Sequence, residues 1–167
     1  MGYAVSDPND RMQVLIADDH KMILDLISMY LNDVAGTDVT LASSFDEAAS
    51  AMQQSGPFDV VLLDLNMPGM NGVTGLRRAI RLNEGKPVAI LTGSPTPKMV
   101  DEIMHAGAAG IILKTTPLRS LANAIRFIQS GEIYLPMELM RTQYDARRTG
   151  QNGVLSEKES QVLGYLA

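Results

Sequence analysis

The sequence predicts an α/β fold in which a doubly wound, five-stranded parallel sheet is covered by helices on both faces. Five short apolar runs recur along the chain, and an amphipathic stretch with helical spacing follows each of them. The runs are nearly unbroken by polar residues, which is typical of strands buried on both faces of a sheet. Strands that alternate with helices pair in parallel, so we expect the common order 2-1-3-4-5.

Each predicted strand is an apolar run bounded by polar or turn-forming residues. The five strands are predicted at Gln13–Ala17, Asp38–Ala42, Val60–Leu63, Pro87–Leu91 and Gly110–Leu113. The second run, DVTLA, is the weakest of these signals. In the expected order it forms the edge of the sheet, and strands 1, 3, 4 and 5 are neighbours.

The helices are predicted from apolar residues at helical spacing and from capping residues. They are expected at Lys21–Leu31, Ser44–Gln54, Val73–Leu82, Lys98–His105 and Leu118–Gln129. Ser44 has Glu47 three residues later, which is the spacing of a capping box. We expect Thr116 to be the N-cap of the last helix and Pro117 to be its first residue.

Composition limits the classes of function. The chain has 167 residues, 46% hydrophobic and 20% charged, with no cysteine and a net charge of −5. The absence of cysteine excludes disulfides and thiolate metal sites, and the negative charge argues against a chain-wide nucleic-acid-binding surface. The sequence contains neither a membrane-spanning run nor the pattern of a signal peptide, so we expect a cytoplasmic protein.

The chain changes character after the fifth helix. Residues 12–130 are expected to form the domain described above, and residues 131–153 are expected to form a polar linker. Residues 154–167, VLSEKESQVLGYLA, contain a second capping-box pair, Ser156 and Glu159, ahead of an apolar helix. Because the chain stops at Ala167, we expect this segment to be the start of a second domain that is absent here.

Polar side chains end every strand that borders the expected crevice. Asp18 and Asp19 follow the first strand, and Asp64 follows the third. Thr92 follows the fourth strand and Lys114 the fifth, whereas the edge strand ends only in serines. Each residue alone has an ordinary interpretation as a cap, a turn or a surface charge. Because ligands bind beyond the carboxyl ends of parallel strands, the five together predict a functional site.

Three carboxylates in one pocket require a compensating cation. Two like charges about 4 Å apart cost roughly 4 kcal/mol at an effective dielectric constant near 20, and Lys114 offsets only one charge. Oxygen ligands, with room left for water and phosphate, favour Mg²⁺. A carboxylate beside Mg²⁺ can attack phosphorus, so Asp64 is the expected nucleophile, with Thr92 and Lys114 against the phosphoryl group. A main-chain carbonyl near Asn66 is a further candidate metal ligand.

Four motifs together resemble the receiver domain of response regulators in two-component signalling. They are ADDH at 17–20, DLNMPGMNG at 64–72, LTG at 91–93 and GAAGIILK at 107–114. They match the family in order and spacing over about residues 12–130, a combination that is far more specific than any single motif.

The resemblance implies a flavodoxin-like fold and a phosphorylation-controlled switch, and not an enzyme acting on other substrates. It implies that Asp64 accepts phosphate from a sensor histidine kinase. It further implies that Asp18, Asp19, Asp64 and the main chain of Asn66 hold Mg²⁺, and that Thr92 and Lys114 contact the phosphoryl group. A homodimer on activation is also expected, through a face that the sequence does not identify.

The tail LSEKESQVLGYLA resembles the opening of the helix-turn-helix domain in LuxR/NarL-type transcription regulators. This implies that the intact protein binds DNA and controls transcription. A recognition helix must enter the major groove, and only the first helix is present, so we do not expect this chain to bind DNA specifically.

Two features depart from the family pattern. Ile111 stands where receivers of this kind often carry an aromatic residue on the fifth strand. Thr115 and Thr116 separate Lys114 from Pro117, so a Lys–Pro cis peptide cannot form there. The two histidines, His20 and His105, are both interpreted as surface residues.

Three other functions were weighed against this one. A haloacid-dehalogenase-type phosphatase needs a second acid two residues after its nucleophile, where this chain has Asn66. A flavodoxin-like nucleotide binder needs a hydroxyl- or glycine-rich phosphate loop after the first strand, where this chain has ADDHKM. A dimerisation module that works without phosphate is not excluded by the sequence.

Overall fold

The computed structural model describes residues 11–33 and 36–140, in which five strands alternate with five helices. The strands are β1 (Met12–Ala17), β2 (Thr37–Ala42), β3 (Val60–Asp64), β4 (Val88–Thr92) and β5 (Ile111–Leu113). The helices are α1 (Lys21–Asp33), α2 (Phe45–Ser55), α3 (Val73–Leu82), α4 (Pro97–His105) and α5 (Leu118–Gln129). None of these helices is both long and apolar enough to cross a membrane. The predicted start of a second domain, 154–167, lies outside the described residues.

The five strands form one parallel sheet in the order β2-β1-β3-β4-β5, which confirms the predicted doubly wound topology. β1 pairs with β2 from Met12 opposite Thr37 to Ala17 opposite Ala42. The pairing of β3 with β4 ends with Asp64 opposite Leu91. Because every pair is parallel, all five carboxyl ends lie at the same edge.

Apolar side chains form one core on each face of the sheet. Successive residues of a strand point to opposite faces. Leu15 and Ala17 therefore join the core beneath α2, α3 and α4, whereas Val14 and Ile16 join the core beneath α1 and α5. Burial on both faces explains why the strands are almost continuously apolar.

The predicted capping residue of α2 is confirmed, with one difference in detail. The Ser44 side chain accepts a hydrogen bond from the Glu47 main-chain N–H at 3.2 Å, as a capping box requires. The Glu47 carboxylate reaches back to the N–H of Ser43 at 2.8 Å, one residue earlier than the standard motif. Both ends of the motif still stabilise the first turn of the helix.

The predicted span of α5, Leu118–Gln129, is confirmed, but its predicted N-cap is wrong by one residue. Pro117, and not Thr116, is the N-cap residue; its ψ of 148° is extended and it makes no side-chain capping bond. The main-chain N–H of Thr116 donates to the Leu113 carbonyl at 2.9 Å, and this turn delays the helix. The other predicted boundaries differ from the observed ones by small shifts, which is usual at the ends of elements.

A buried asparagine ties α3 to β3. Asn83 follows the last residue of α3 and is fully buried. Its Oδ1 accepts from the Phe58 N–H at 2.8 Å, and its Nδ2 donates to the carbonyls of Phe58 at 3.1 Å and Lys86 at 3.3 Å. Phe58 precedes β3, so these bonds fix the amino end of the strand that carries Asp64 at its other end.

The chain returns to the sheet after α5. The Tyr134 N–H donates to the Ala109 carbonyl at 3.0 Å, and the Tyr134 carbonyl accepts from the Ile111 N–H at 3.0 Å. The first residues of the predicted linker therefore pair beside β5. The domain boundary at residue 130 stays a prediction.

Candidate functional site

The carboxyl ends of four neighbouring strands bring the predicted polar residues to one edge of the sheet. Asp18 follows β1, and Asp64 is the last residue of β3. Thr92 is the last residue of β4, and Lys114 follows β5. The order β1-β3-β4-β5 places these four ends side by side, so residues far apart in the sequence share one pocket.

Two buried carboxylates occupy the centre of this pocket. Asp18 is 0% exposed and Asp64 is 2% exposed. Each accepts a hydrogen bond from the main-chain N–H two residues later: His20 donates to Asp18 Oδ1 at 2.9 Å, and Asn66 donates to Asp64 Oδ1 at 3.1 Å. This is the usual way in which Asp turns the chain that follows it. The turns hold Oδ1 of each residue and leave Oδ2 for other partners.

Lys114 bridges the two carboxylates. Its Nζ lies 2.9 Å from Asp18 Oδ2 and 3.2 Å from Asp64 Oδ2, and only 15% of its side chain is exposed. The Lys114 main-chain N–H donates to the Thr92 carbonyl at 2.8 Å, which fixes the residue where it leaves β5. The strand ends therefore place one ammonium group between acids from β1 and β3.

The charges in the pocket shift one another's pKa values. Burial raises the pKa of Asp64 above its usual range, and the charge of Asp18 adds to that effect against the opposing influence of Asn66 and Lys114. Burial also acts to raise the pKa of Asp18, but its contacts with Lys114 and His20 outweigh burial and hold this pKa below its usual range. Burial lowers the pKa of Lys114, but the two carboxylates outweigh it and raise this pKa. The lysine is therefore charged, and Asp64 is the costlier acid to ionise.

One oxygen of the pocket lacks a hydrogen-bond donor among the residues that the structure describes. Asp18 Oδ2 is buried, and although Lys114 Nζ is 2.9 Å away, the ammonium is not aligned to donate to it. Buried polar atoms in folded proteins nearly always have a partner. A buried carboxylate oxygen that is held by an ion pair but by no well-aligned hydrogen bond fits a site that a further cation could occupy.

The composition of the cluster fits a divalent metal ion. One ligand atom from each of Asp18, Asp19, His20 and Asp64 lies within 4.8 Å of the others. Asp19 is the more exposed acid, with 43% of its side chain accessible. Lys114 neutralises only one of the three carboxylates, so the cluster keeps a negative charge at neutral pH. A bound cation would relieve repulsion of roughly 3–4 kcal/mol per pair of acids.

The other predicted site residues lie at the same edge. Thr92 is buried and lies opposite Leu113 of β5, the residue before Lys114. Asn66 is exposed in the turn after β3. The roles assigned to the Thr92 hydroxyl and to the Asn66 carbonyl remain predictions.

The sequence analysis missed the contacts of His20. The residue is exposed as expected, with 61% of its side chain accessible, but its Nδ1 lies 2.8 Å from Asp18 Oδ1 and 3.2 Å from Lys114 Nζ. Its place two residues after Asp18 was the available signal, because the chain turns back on the carboxylate at that position.

A family model and curated relatives match this chain. The model described as the response regulator receiver domain matches residues 14–126. The glycerol metabolism activator of Pseudomonas putida is 35% identical over 141 residues, which cover 84% of this chain and 64% of that protein. Response regulator UvrY of Escherichia coli (strain K12) is 29% identical over 157 residues, which cover 91% of this chain and 72% of that protein.

A solved structure resembles the chain in sequence and fold. It is the crystal structure of a LuxR family DNA-binding response regulator from Silicibacter pomeroyi, with 29% identity and a TM-score of 0.66. The match covers 76% of this chain and 98% of that chain. By contrast, this chain spans just under two thirds, 64%, of the Pseudomonas putida relative.

Proposed function

The chain belongs to the response regulator receiver domain family of two-component signalling, and from this we propose that Asp64 accepts a phosphoryl group from a sensor histidine kinase. The observation that carries the proposal is the Lys114 ammonium, held against the buried carboxylates of Asp18 and Asp64 at the carboxyl edge of the sheet. Such a site can capture phosphate and so change the charge of the domain.

The proposed transfer makes an acyl phosphate on Asp64. A carboxylate oxygen attacks phosphorus, the P–N bond of the kinase phosphohistidine breaks, and the leaving imidazole keeps the electron pair and takes up a proton. The attacking group must be ionised, and the Lys114 contact favours that form against the burial that disfavours it. Lys114 would then neutralise charge on the transferred group, and the Thr92 hydroxyl would donate a hydrogen bond to a phosphoryl oxygen.

We propose that the cation is Mg²⁺, held by Asp18, Asp19, Asp64 and the main-chain carbonyl of Asn66. The three acids offer the oxygen ligands that this ion prefers. When bound, the ion neutralises charge on the phosphoryl oxygens.

The test is chemical labelling of the whole chain. Wild type is incubated with acetyl phosphate and Mg²⁺, and intact mass and peptide mapping locate the phosphoryl group. We expect one group, on Asp64, and none in Asp64→Asn. Glu84→Gln is the control, because Glu84 is an exposed acid in the turn after α3 and should not alter labelling. Labelling that persists in Asp64→Asn would move the nucleophile to another residue.

The expected homodimer also remains a proposal, and α1 offers a surface for it. Met22, Leu26 and Met29 expose 79%, 57% and 68% of their areas and lie at positions i, i+4 and i+7 of the helix. Asp33 on α1 and Arg126 on the neighbouring α5 are exposed and opposite in charge, which suits a two-fold pairing of the same surface. Sedimentation of wild type and Leu26→Glu, with and without beryllium fluoride, tests this. A wild type that stays monomeric in both conditions would overturn it.

We further propose that the intact protein binds DNA through the domain that residues 154–167 begin. The tail motif supports this, as does similarity to a solved protein described as a DNA-binding response regulator. The domain limits of 12–130, 131–153 and 154–167, and the cytoplasmic location, belong to the same proposal. Selection of duplexes from a random pool by the protein with a complete helix-turn-helix domain tests it; a pool without enriched sequences would contradict it.

A further inference from the structure

We propose that His20 supplies a nitrogen ligand to the cation site and so shifts its preference from Mg²⁺ toward first-row transition ions such as Mn²⁺. The inference rests on the proposed cation site. It adds one residue, His20, to a site that the three carboxylates could form without it. It predicts a selectivity of this pocket for Mn²⁺ over Mg²⁺ that can be measured.

The position of the His20 ring is the first observation. Nδ1 lies 2.8 Å from Asp18 Oδ1 and 3.4 Å from Asp19 Oδ1. One ring nitrogen of His20 lies within 4.8 Å of carboxylate oxygens from Asp18, Asp19 and Asp64 in a cluster that could hold a metal ion. The ring is largely exposed, so it can adjust toward an ion without disturbing the core.

The hydrogen-bonding of Nδ1 is the second observation. This atom is also 3.2 Å from Lys114 Nζ. A neutral imidazole nitrogen either donates or accepts, so Nδ1 cannot donate to Asp18 and accept from Lys114 together. If Nδ1 carries the proton, it can donate to Asp18 but cannot accept from Lys114; if it does not, it can accept from Lys114 but its lone pair faces the Asp18 carboxylate. A cation between the nitrogen and the acids would satisfy the lone pair and the carboxylates at once.

The Asp18 oxygen that only the Lys114 ion pair holds is an independent sign of a ligand at the same place. Asp18 is fully buried, and its Oδ2 has no aligned donor among the described residues. The pocket therefore presents a buried oxygen and a ring nitrogen that share the single ammonium group of Lys114, at 2.9 Å and 3.2 Å.

Ligand chemistry then determines the direction of the selectivity. Mg²⁺ prefers oxygen ligands and keeps its water shell, whereas imidazole nitrogen suits the first-row transition ions. A site of carboxylates alone already binds Mn²⁺ somewhat better than Mg²⁺, so the relevant quantity is the change in that ratio when the nitrogen is removed.

Two asparagine variants separate ligation from simple positioning. His20→Asn keeps a side-chain N–H that can donate to Asp18, but it replaces the nitrogen ligand with an amide. His105→Asn is the matched control, because His105 is the only other histidine of the chain. It is exposed on α4, where its Nδ1 lies 2.9 Å from the Asp101 carbonyl, away from the acids.

The experiment measures both ions on the full chain. Mn²⁺ binding is followed by electron paramagnetic resonance, and Mg²⁺ affinity is obtained by competition. We expect the ratio of Mn²⁺ affinity to Mg²⁺ affinity to fall about tenfold in His20→Asn and to stay unchanged in His105→Asn. Tenfold is the lower end of the loss in metal affinity that follows removal of a group supporting a metal site. Spin-echo spectra of bound Mn²⁺ should show coupling to an imidazole nitrogen in wild type and His105→Asn only.

The outcomes distinguish this inference from the function on which it rests. If wild type binds both ions but its Mn²⁺ spectra show no nitrogen coupling, ligation by His20 is overturned and the carboxylate site stands. A lower preference without nitrogen coupling would mean that His20 only positions Asp18, which also overturns the inference. Failure of wild type to bind either ion would overturn the cation site itself.

Discussion

Replacing Asn83 with alanine should destabilise the domain far more than its position at a helix end suggests. The side chain is fully buried and makes three hydrogen bonds to the main chain, two of them with Phe58 before β3. Asn83→Ala removes all three at once. It leaves the N–H and the carbonyl of Phe58 without these partners in a buried place, and the carbonyl of Lys86 without its partner in a partly buried one.

The expected loss can be worked from these contacts. Each hydrogen bond contributes about 1 kcal/mol net, so three give about 3 kcal/mol, before any cost of the small cavity. That is a large part of the 5–15 kcal/mol that is typical of a domain. For a domain of this size, it corresponds to a fall in melting temperature of about 10 °C.

Urea denaturation followed by circular dichroism measures the effect. Asn83→Asp keeps the acceptor for Phe58 but turns a carboxylate toward two carbonyls, so it should be at least as unstable as the alanine variant. Asn123→Ala is the control: Asn123 is exposed and accepts only from Arg126 at 3.2 Å, so its loss should stay within about 0.5 kcal/mol. If Asn83→Ala costs less than about 1 kcal/mol, the hydrogen bonds do not hold the strand as argued.

Three other changes test the pocket and its supports. Mg²⁺ at a hundred times its Kd should stabilise wild type by about 2.7 kcal/mol in thermal melts, and Asp64→Asn should reduce that gain; an equal gain in the variant would place the ion elsewhere. Without a cation, Asp64→Asn should melt no lower than wild type at neutral pH. Burial raises the pKa of Asp64 in the folded state above its pKa in the unfolded chain. The protonated side chain therefore stabilises the fold at pH values below the unfolded-state pKa. This stabilisation is lost as the pH rises through the folded-state pKa. Gly75→Ala should cost about 1–3 kcal/mol in urea, because a Cβ there would meet the main-chain carbonyl of Met70 and lie 2.8 Å from its Sδ; Gly93→Ala, which has open space, should not. Ile111→Tyr should cost a similar 1–3 kcal/mol, since Ile111 is fully buried, and an unchanged urea midpoint would mean that the core has room for the ring.

The fold could be predicted because its signals are local and mutually consistent. The strands are buried on both faces, so each appears as an apolar run, and the alternation with helices leaves few possible topologies. The carboxylates could be predicted to meet for the same reason: a residue at the end of a strand has a fixed place once the strand order is known. Lys114 contacts both Asp18 and Asp64, although the three residues are far apart in the sequence. Only the predicted strand order indicates that they meet.

Contacts that depend on side-chain orientation could not be predicted. Asn83 has the sequence context of an ordinary helix end, and its burial arises from packing against Phe58, 25 residues earlier. His20 has the context of a surface residue, and its approach to Lys114 joins positions 94 residues apart. The N-cap of α5 moved by one residue because a main-chain turn at Thr116 formed before the helix. Each case depends on a distant partner or a local turn that no periodic pattern contains.

The buried polar residues Asn83, Asp18 and Asp64 differ in how completely their polar atoms are bonded within the fold. Asn83 has a partner for its oxygen and for its nitrogen, all of them in the main chain, which is what a purely structural polar group requires. Asp18 is equally buried but keeps an oxygen without an aligned donor, and burial makes Asp64 costly to ionise. Such an arrangement does not increase the stability of the fold, because apolar residues of similar size would pack there without the charge repulsion. The cost fits the proposed function, in which a cation would lie against the carboxylate of Asp18 and a phosphoryl group would convert the carboxylate of Asp64 into an acyl phosphate, a mixed anhydride.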